Sequence, residues 1–196
     1  MMRLSRRRLA LALPTLALPA LAGACGSSPE PALYTIPMKP GAVLNSGPKN
    51  VQLRDISLAA YLDRKEIVRS SEAYKLGVMA NDWWGESLSS MLSRVIVLGL
   101  NQRLPGTNVY AEGGAISADA NAVLGVNIQR LDTDAAGTLK LLAQAAVEFE
   151  RPRRPTVTRA FSIEKSPPSP KVEGQVAATA DAVGELTDSL AQMLQS

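Results

Sequence analysis

Histidine is absent from this chain and cysteine occurs once, at Cys25. Without imidazole there is no histidine proton relay or histidine metal centre, and one thiol forms neither an internal disulfide nor a cysteine cluster. Phosphate-cradling and nucleophile-elbow signatures are missing too: the sequence holds no G-x-G-x-x-G, no G-x-x-x-x-G-K and no G-x-S-x-G. Aromatic residues make up only 4%, and charged residues 20%, of 196 positions that are 46% hydrophobic. That balance fits one ordinary globular domain and fits neither a disordered tail nor a multi-span membrane protein. Surplus charge is also scarce. The formal net charge is +3, but Arg3, Arg6, Arg7 and Arg8 stand at the extreme N-terminus, and without them 17 basic residues face 18 acidic ones. Such a chain has no net attraction for nucleic acid.

The N-terminus reads as an address. A basic stretch, Met1 to Arg8, precedes an apolar run, Leu9 to Leu21, interrupted by Pro14 and Pro19, and small residues Ala22, Gly23 and Ala24 lead into Cys25. This is the layout of a secretory signal peptide, with an apolar run too short to span a bilayer. Small residues directly before the one cysteine resemble a bacterial lipobox, so residues 1–24 are expected to be removed and Cys25 to carry the lipid. Acyl chains contribute about 0.8 kcal/mol per buried methylene, so two or three of them hold a soluble domain on a bilayer without a membrane-spanning helix. Ser5 to Leu9 is compatible with either twin-arginine or general secretory export. Gly26 follows the cysteine where an inner-membrane retention aspartate is common, which by that resemblance favours the outer membrane.

Residues 25–32, rich in Gly, Ser and Pro, form the expected lipidated tether, and 33–196 the expected folded domain. Within it, Leu33 to Ile36, Val51 to Leu58, Ile67-Val68 and Tyr74 to Val78 have strand character, the last two forming a hairpin. From Trp83 to Arg103 apolar residues recur at three and four positions, predicting a helix with Trp84 on its buried side and Trp83 turned away, half exposed and available to a partner or subunit interface. Two long period-two segments, Leu124 to Ile128 and Leu139 to Phe149, predict an antiparallel hairpin extended by Val157 to Ile163. After Ser166 to Pro170, helical spacing from Val176 to Met193 predicts a terminal amphipathic helix. The sum is an α+β fold, a mostly antiparallel sheet covered by two long amphipathic helices.

Three further motifs bear on chemistry. Asp132 to Gly137 opens like a calcium loop, but Ala136 and Ala143 occupy later ligand positions, leaving a polar turn. Ser162 to Lys165 has S-x-x-K spacing on a strand, where residues three apart face opposite ways. Arg151, Arg153 and Arg154 form a basic cluster, a candidate for partner, oligomer or headgroup contact.

Tyr61-Leu62-Asp63-Arg64, then Ile67-Val68-Arg69, then Trp84-Gly85-Glu86-Ser87-Leu88 with Arg94-Val95, and the strand end Asn127 to Asp132, resemble the PqiC (YmbA-like) auxiliary lipoproteins of ABC-type, MCE-linked lipid transport systems. That resemblance implies a non-enzymatic outer-membrane lipoprotein facing the periplasm, without cofactor or metal. It implies self-association and docking to an MCE-family periplasmic protein, with an inner-membrane permease and ATPase supplying the energy to move phospholipid or other hydrophobic molecules. A stand-alone envelope lipoprotein binding a small apolar ligand between sheet and helices is the alternative reading.

Overall fold

The computed structural model describes residues 29–45, 47–72, 74–116 and 118–196; the predicted signal peptide and Cys25 lie outside them. Strand β7 (Ala122–Thr133) organises the fold, because its twelve largely alternating residues give it one buried face and two long hydrogen-bonding edges. Along one edge it pairs antiparallel with β8 (Leu139–Glu150), which pairs antiparallel with β9 (Arg153–Lys165). Along the other it meets, in turn and all in parallel, β2 (Asn50–Leu53), β3 (Ser57–Leu58) and β4 (Glu66–Ser70). Outside these lie β6 (Asn108–Ala111), parallel to β2, then β5 (Gly77–Trp84), antiparallel to β4, and β1 (Ala32–Tyr34), parallel to β5. The sheet, nine-stranded among the described residues, is therefore mixed.

Among the described residues two helices cover one face. Helix α1 (Leu88–Arg103) starts where the Ser87 hydroxyl accepts the Ser90 N–H, an N-cap that satisfies an otherwise orphaned donor. Gly106, at φ +88°, takes the left-handed turn that follows. Helix α2 (Val172–Gln195) runs for 24 residues, and Val176, Ala180, Val183, Leu186, Leu190 and Met193 are all buried. One hydrophobic cluster joins these to Leu92 and Ile96 of α1 and to Leu124, Ile128, Leu141 and Val147 of the sheet. The helices meet closely at Gly99, where a Cβ would stand 2.9 Å from Thr187 Cγ2.

At that contact Arg103, only 1% exposed, directs its donors at a ring of acceptors: Nε at Asp188 Oδ1, 2.5 Å away, Nη1 at the Lys39 and Gly99 carbonyls, Nη2 at the Gly184 carbonyl. A guanidinium so placed has almost no water, and its burial is tolerable only because the charge and four N–H groups are matched. It fastens α1, α2 and the segment around Lys39 together.

Three expectations are corrected. The sheet is mixed rather than mostly antiparallel, because short strands of two to five residues laid along β7 and β5 add parallel ladders that single-strand periodicity does not reveal. The helices are not both long: α1 has sixteen residues and begins at Leu88, not Trp83. Trp83 and Trp84 belong to β5, where the Ser87 cap and exposed Gly85-Glu86 separate strand from helix; Trp84 is still buried, at 8% exposure, by strand alternation. The β7–β8–β9 meander and the terminal helix stand where the pattern placed them, while the β4–β5 hairpin forms with its second strand displaced to Gly77–Trp84, which keeps only Gly77 and Val78 of the expected Tyr74 to Val78.

Candidate functional site

The middle of the face of β7, β8 and β9 turned away from the helices is made of small and polar residues. Register aligns Gly125, Ala146 and Thr158 in one row and Asn127, Gln144 and Ala160 in the next. Small side chains in adjacent rows leave a trough of about 660 Å³, walled on one side by Arg54, Asp55 and Ser57. A Cβ on Gly125 would meet nothing within 4 Å, so this glycine widens the trough rather than relieving a clash. Arg54 is held by a two-pronged pairing with Glu148, Nη1 to Oε1 at 2.9 Å and Nη2 to Oε2 at 3.0 Å, which fixes the rim. Beyond it β9, thirteen residues long, pairs only with β8 among the described residues. An open concave face beside an open strand edge is a surface suited to an extended or flat partner.

A polar cluster braces one end of this face. Asp132, with no exposure, accepts the Tyr61 hydroxyl at 2.8 Å, the Ser71 hydroxyl at 2.7 Å and Arg130 Nε at 2.9 Å. Arg130 Nη2 reaches Glu72 at 2.6 Å, and Thr133 Oγ1 donates to the Arg69 carbonyl. Burial first, then the hydrogen bond to Asp132 and its negative charge, push the Tyr61 hydroxyl up to about 12. The cluster thus ties the Tyr61 segment and the loop after β4 to the end of β7, and that loop carries Tyr74, fully exposed at φ +61°. Asp134, two residues on, accepts the Thr138 and Ala136 N–H groups and faces Lys140 Nζ at 3.4 Å; the Thr138 bond first, then Lys140 and the Ala136 bond, hold its carboxyl below the usual range. The carboxylates of the supposed calcium loop are therefore engaged separately, one in the cluster and one in the turn.

The residues singled out in the sequence do not converge. Trp83 lies at the β1–β5 end of the sheet, its Nε1 donating to the Ala80 carbonyl at 2.9 Å and Lys65 Nζ standing 3.7 Å from its ring centroid. Arg151, Arg153 and Arg154 lie across β7 from it, at the turn between β8 and β9. Arg151 pairs with Asp119 at 3.1 Å, while Arg154 stacks on Phe149 and donates to the Ser196 carbonyl. Arg153 and Arg154 are strand residues rather than loop residues. Cys25 lies outside the described residues. Sequence reasoning missed the trough, whose signal is the run of Gly, Ala, Asn and Gln on one parity of β7 and β8. It also missed the pairing of Tyr61 with Asp132, although both stand in the motifs that carry the family resemblance.

Residues 34–191 match the family described as the ABC-type transport auxiliary lipoprotein component, and the chain belongs to that family. Its members are lipoproteins, anchored to a membrane of the cell envelope and associated with ABC transport systems; it is not a family of known enzymes. Among the described residues no helix is long and apolar enough to cross a membrane. The fold is shared with a protein described as uncharacterized, at TM-score 0.71 and 15% identity over 84% of this chain and 98% of the other. It is also shared with protein XCC0632 from Xanthomonas campestris, of family DUF330, at TM-score 0.63 and 18% identity over 81% and 92%. Comparison with curated proteins gives no match.

Proposed function

We propose that this protein is the outer-membrane lipoprotein subunit of an MCE-type ABC transport system, a non-catalytic part that docks a periplasmic MCE protein while an inner-membrane permease and ATPase move phospholipid or another hydrophobic molecule. The observation that carries this reading is the family match over residues 34–191. In this scheme residues 1–24 are removed, Cys25 is acylated, and a short tether leads into the periplasmic domain, whose first strand starts at Ala32.

The geometry supports a docking role over encapsulation of a lipid. The space between sheet and helices is filled by Leu124, Ile128, Leu141 and the apolar face of α2, whereas the 660 Å³ trough opens on the opposite side. Open concavities flanked by a fixed ion pair favour protein contacts over a sequestered apolar ligand. The trough, the β9 edge and Arg153 are the surface assigned to the MCE partner or to a second copy of the chain.

Affinity purification of C-terminally tagged protein from crosslinked cells, beside a Cys25→Ala control, tests the proposal. Recovery of an MCE protein with its permease from the wild type, and its loss from the unanchored variant, is the expected result. Repeated recovery of the protein alone would overturn the transport role and leave the apolar-ligand reading in its place.

A further inference from the structure

If Cys25 is acylated, the fold has a membrane side, and covalent geometry narrows where it lies. Seven residue steps separate Cys25 from Ala32, the first residue of β1, so this strand stands within about 25 Å of the anchored residue in any conformation of the tether. The β1–β5 edge is therefore the part of the folded domain tied most closely to the bilayer.

Its composition suits that position. Leu33 is 68% exposed and is the register partner of Trp83 across the β1–β5 ladder, so the two side chains stand side by side on the same face. The Trp83 N–H is already satisfied by the Ala80 carbonyl, leaving the ring free of an unmatched donor as it enters an apolar boundary. Lys65 over the ring supplies an ammonium beside an aromatic, the pairing that sits at headgroup level with its stem in the apolar layer. Charge around this edge is mixed in sign: Arg94 pairs with Glu86, Asp82 accepts the Tyr34 hydroxyl, and Glu66, the register partner of Trp83 on the β4 side, stands opposite in sign to Lys65. This surface accordingly suits the boundary of a zwitterionic bilayer and does not depend on anionic lipid.

Resting on the acylation of Cys25 proposed above, we propose that Leu33 and Trp83 seat the β1–β5 edge in the headgroup layer of a phospholipid bilayer. Two apolar side chains are a weak membrane ligand alone, but the tether holds them at high effective concentration beside the surface, so the contact orients the domain rather than recruits it. Orientation has a consequence for transport. With the β1–β5 edge on the lipid, β9 and the Arg153 end of the sheet, across β7, point into the periplasm.

The test couples residues 25–196 through Cys25, the only thiol in the chain, to maleimide-bearing phosphatidylethanolamine in vesicles of brominated phosphatidylcholine. Tryptophan emission is then compared with that in unbrominated vesicles. Quenching is expected in the wild type, reduced in Leu33→Asp and lost in Trp83→Phe, whose remaining Trp84 reports only the core. A second probe, Thr158→Trp in the Trp83→Phe background, is expected to remain unquenched. Quenching of that probe with Trp83 unquenched, or of neither, would overturn the proposal. Chemical coupling imposes the anchor, so this result is independent of whether cells acylate Cys25, which the mass of detergent-extracted protein decides separately.

Discussion

Strands β7 and β8 present two faces of opposite character from the same two dozen residues. Toward the helices stand Leu124, Val126, Ile128, Leu141 and Val147, all buried; away from them stand Gly125, Asn127, Gln144 and Ala146. The covered face is closely filled, down to a buried arginine with four of its N–H groups engaged, whereas the other is kept hollow by residues too small to fill it. Since neighbouring positions of one strand share the same backbone conformation and ladder, the contrast isolates side-chain choice. One face carries stability, and the other is shaped for something the chain does not itself provide.

The contrast can be broken most forcefully at Arg103. Replacing it with alanine leaves the Lys39, Gly99 and Gly184 carbonyls without their donor and opens a cavity between α1 and α2. A loss of about 3 kcal/mol is expected, read as a lower urea midpoint at unchanged slope. Arg54→Ala, which removes a two-pronged pairing on the open face, is expected to cost under about 1 kcal/mol, because both members of the pair keep access to water. Similar losses at the two sites would show that the open face is as much a part of the core as the covered one.

A smaller effect is expected at the polar brace, and there pH separates it from packing. Tyr61 keeps its proton in the folded protein to about pH 12, while the unfolded chain releases it near 10. A folded pKa raised in this way contributes stability that is complete below pH 10 and is lost as pH rises from 10 toward 12. Tyr61→Phe is expected to lower stability by about 1 kcal/mol at neutral pH, since Asp132 loses one donor and keeps Ser71 and Arg130. The gap between wild type and variant should be constant up to pH 10 and close above it, measured by urea unfolding at stepped pH. A gap that stays constant through pH 12 would remove the proton-holding role assigned to this cluster.

Much of the fold is legible in the chain itself, for identifiable reasons. Period-two alternation over twelve residues leaves little freedom, so β7, β8 and β9 can be placed with their buried sides, and the spacing from Val176 to Met193 does the same for α2. Short strands carry no such redundancy. Ser57-Leu58 is a strand only because Asn127 and Ile128 lie alongside it, and parallel pairing with β7 is a property of the tertiary arrangement. At Trp83-Trp84 the helical and strand periods agree over a few residues, so the boundary falls to a cap at Ser87 that spacing alone underweights. The trough is hidden for a different reason: small and polar residues on an exposed parity are what any solvated sheet face shows, and only register reveals that Gly125, Ala146 and Thr158 form a row.

That row gives the sharpest and least destabilising test. Filling it should leave the covered face untouched, because a Cβ at Gly125 has no neighbour within 4 Å and Ala146 projects from the same exposed side. Gly125→Val adds a β-branched side chain to a strand interior and is expected to raise stability by roughly 0.5 kcal/mol, through reduced backbone freedom in the unfolded chain. Ala146→Trp should be close to neutral in the same urea assay while filling most of the concavity between Arg54 and Thr158. If the hollow face receives the transport partner, the tryptophan variant will be acylated, folded and delivered normally yet recover little MCE protein on crosslinking. Undiminished recovery would move docking to the β9 edge or the arginine turn, since these remain exposed when the trough is full.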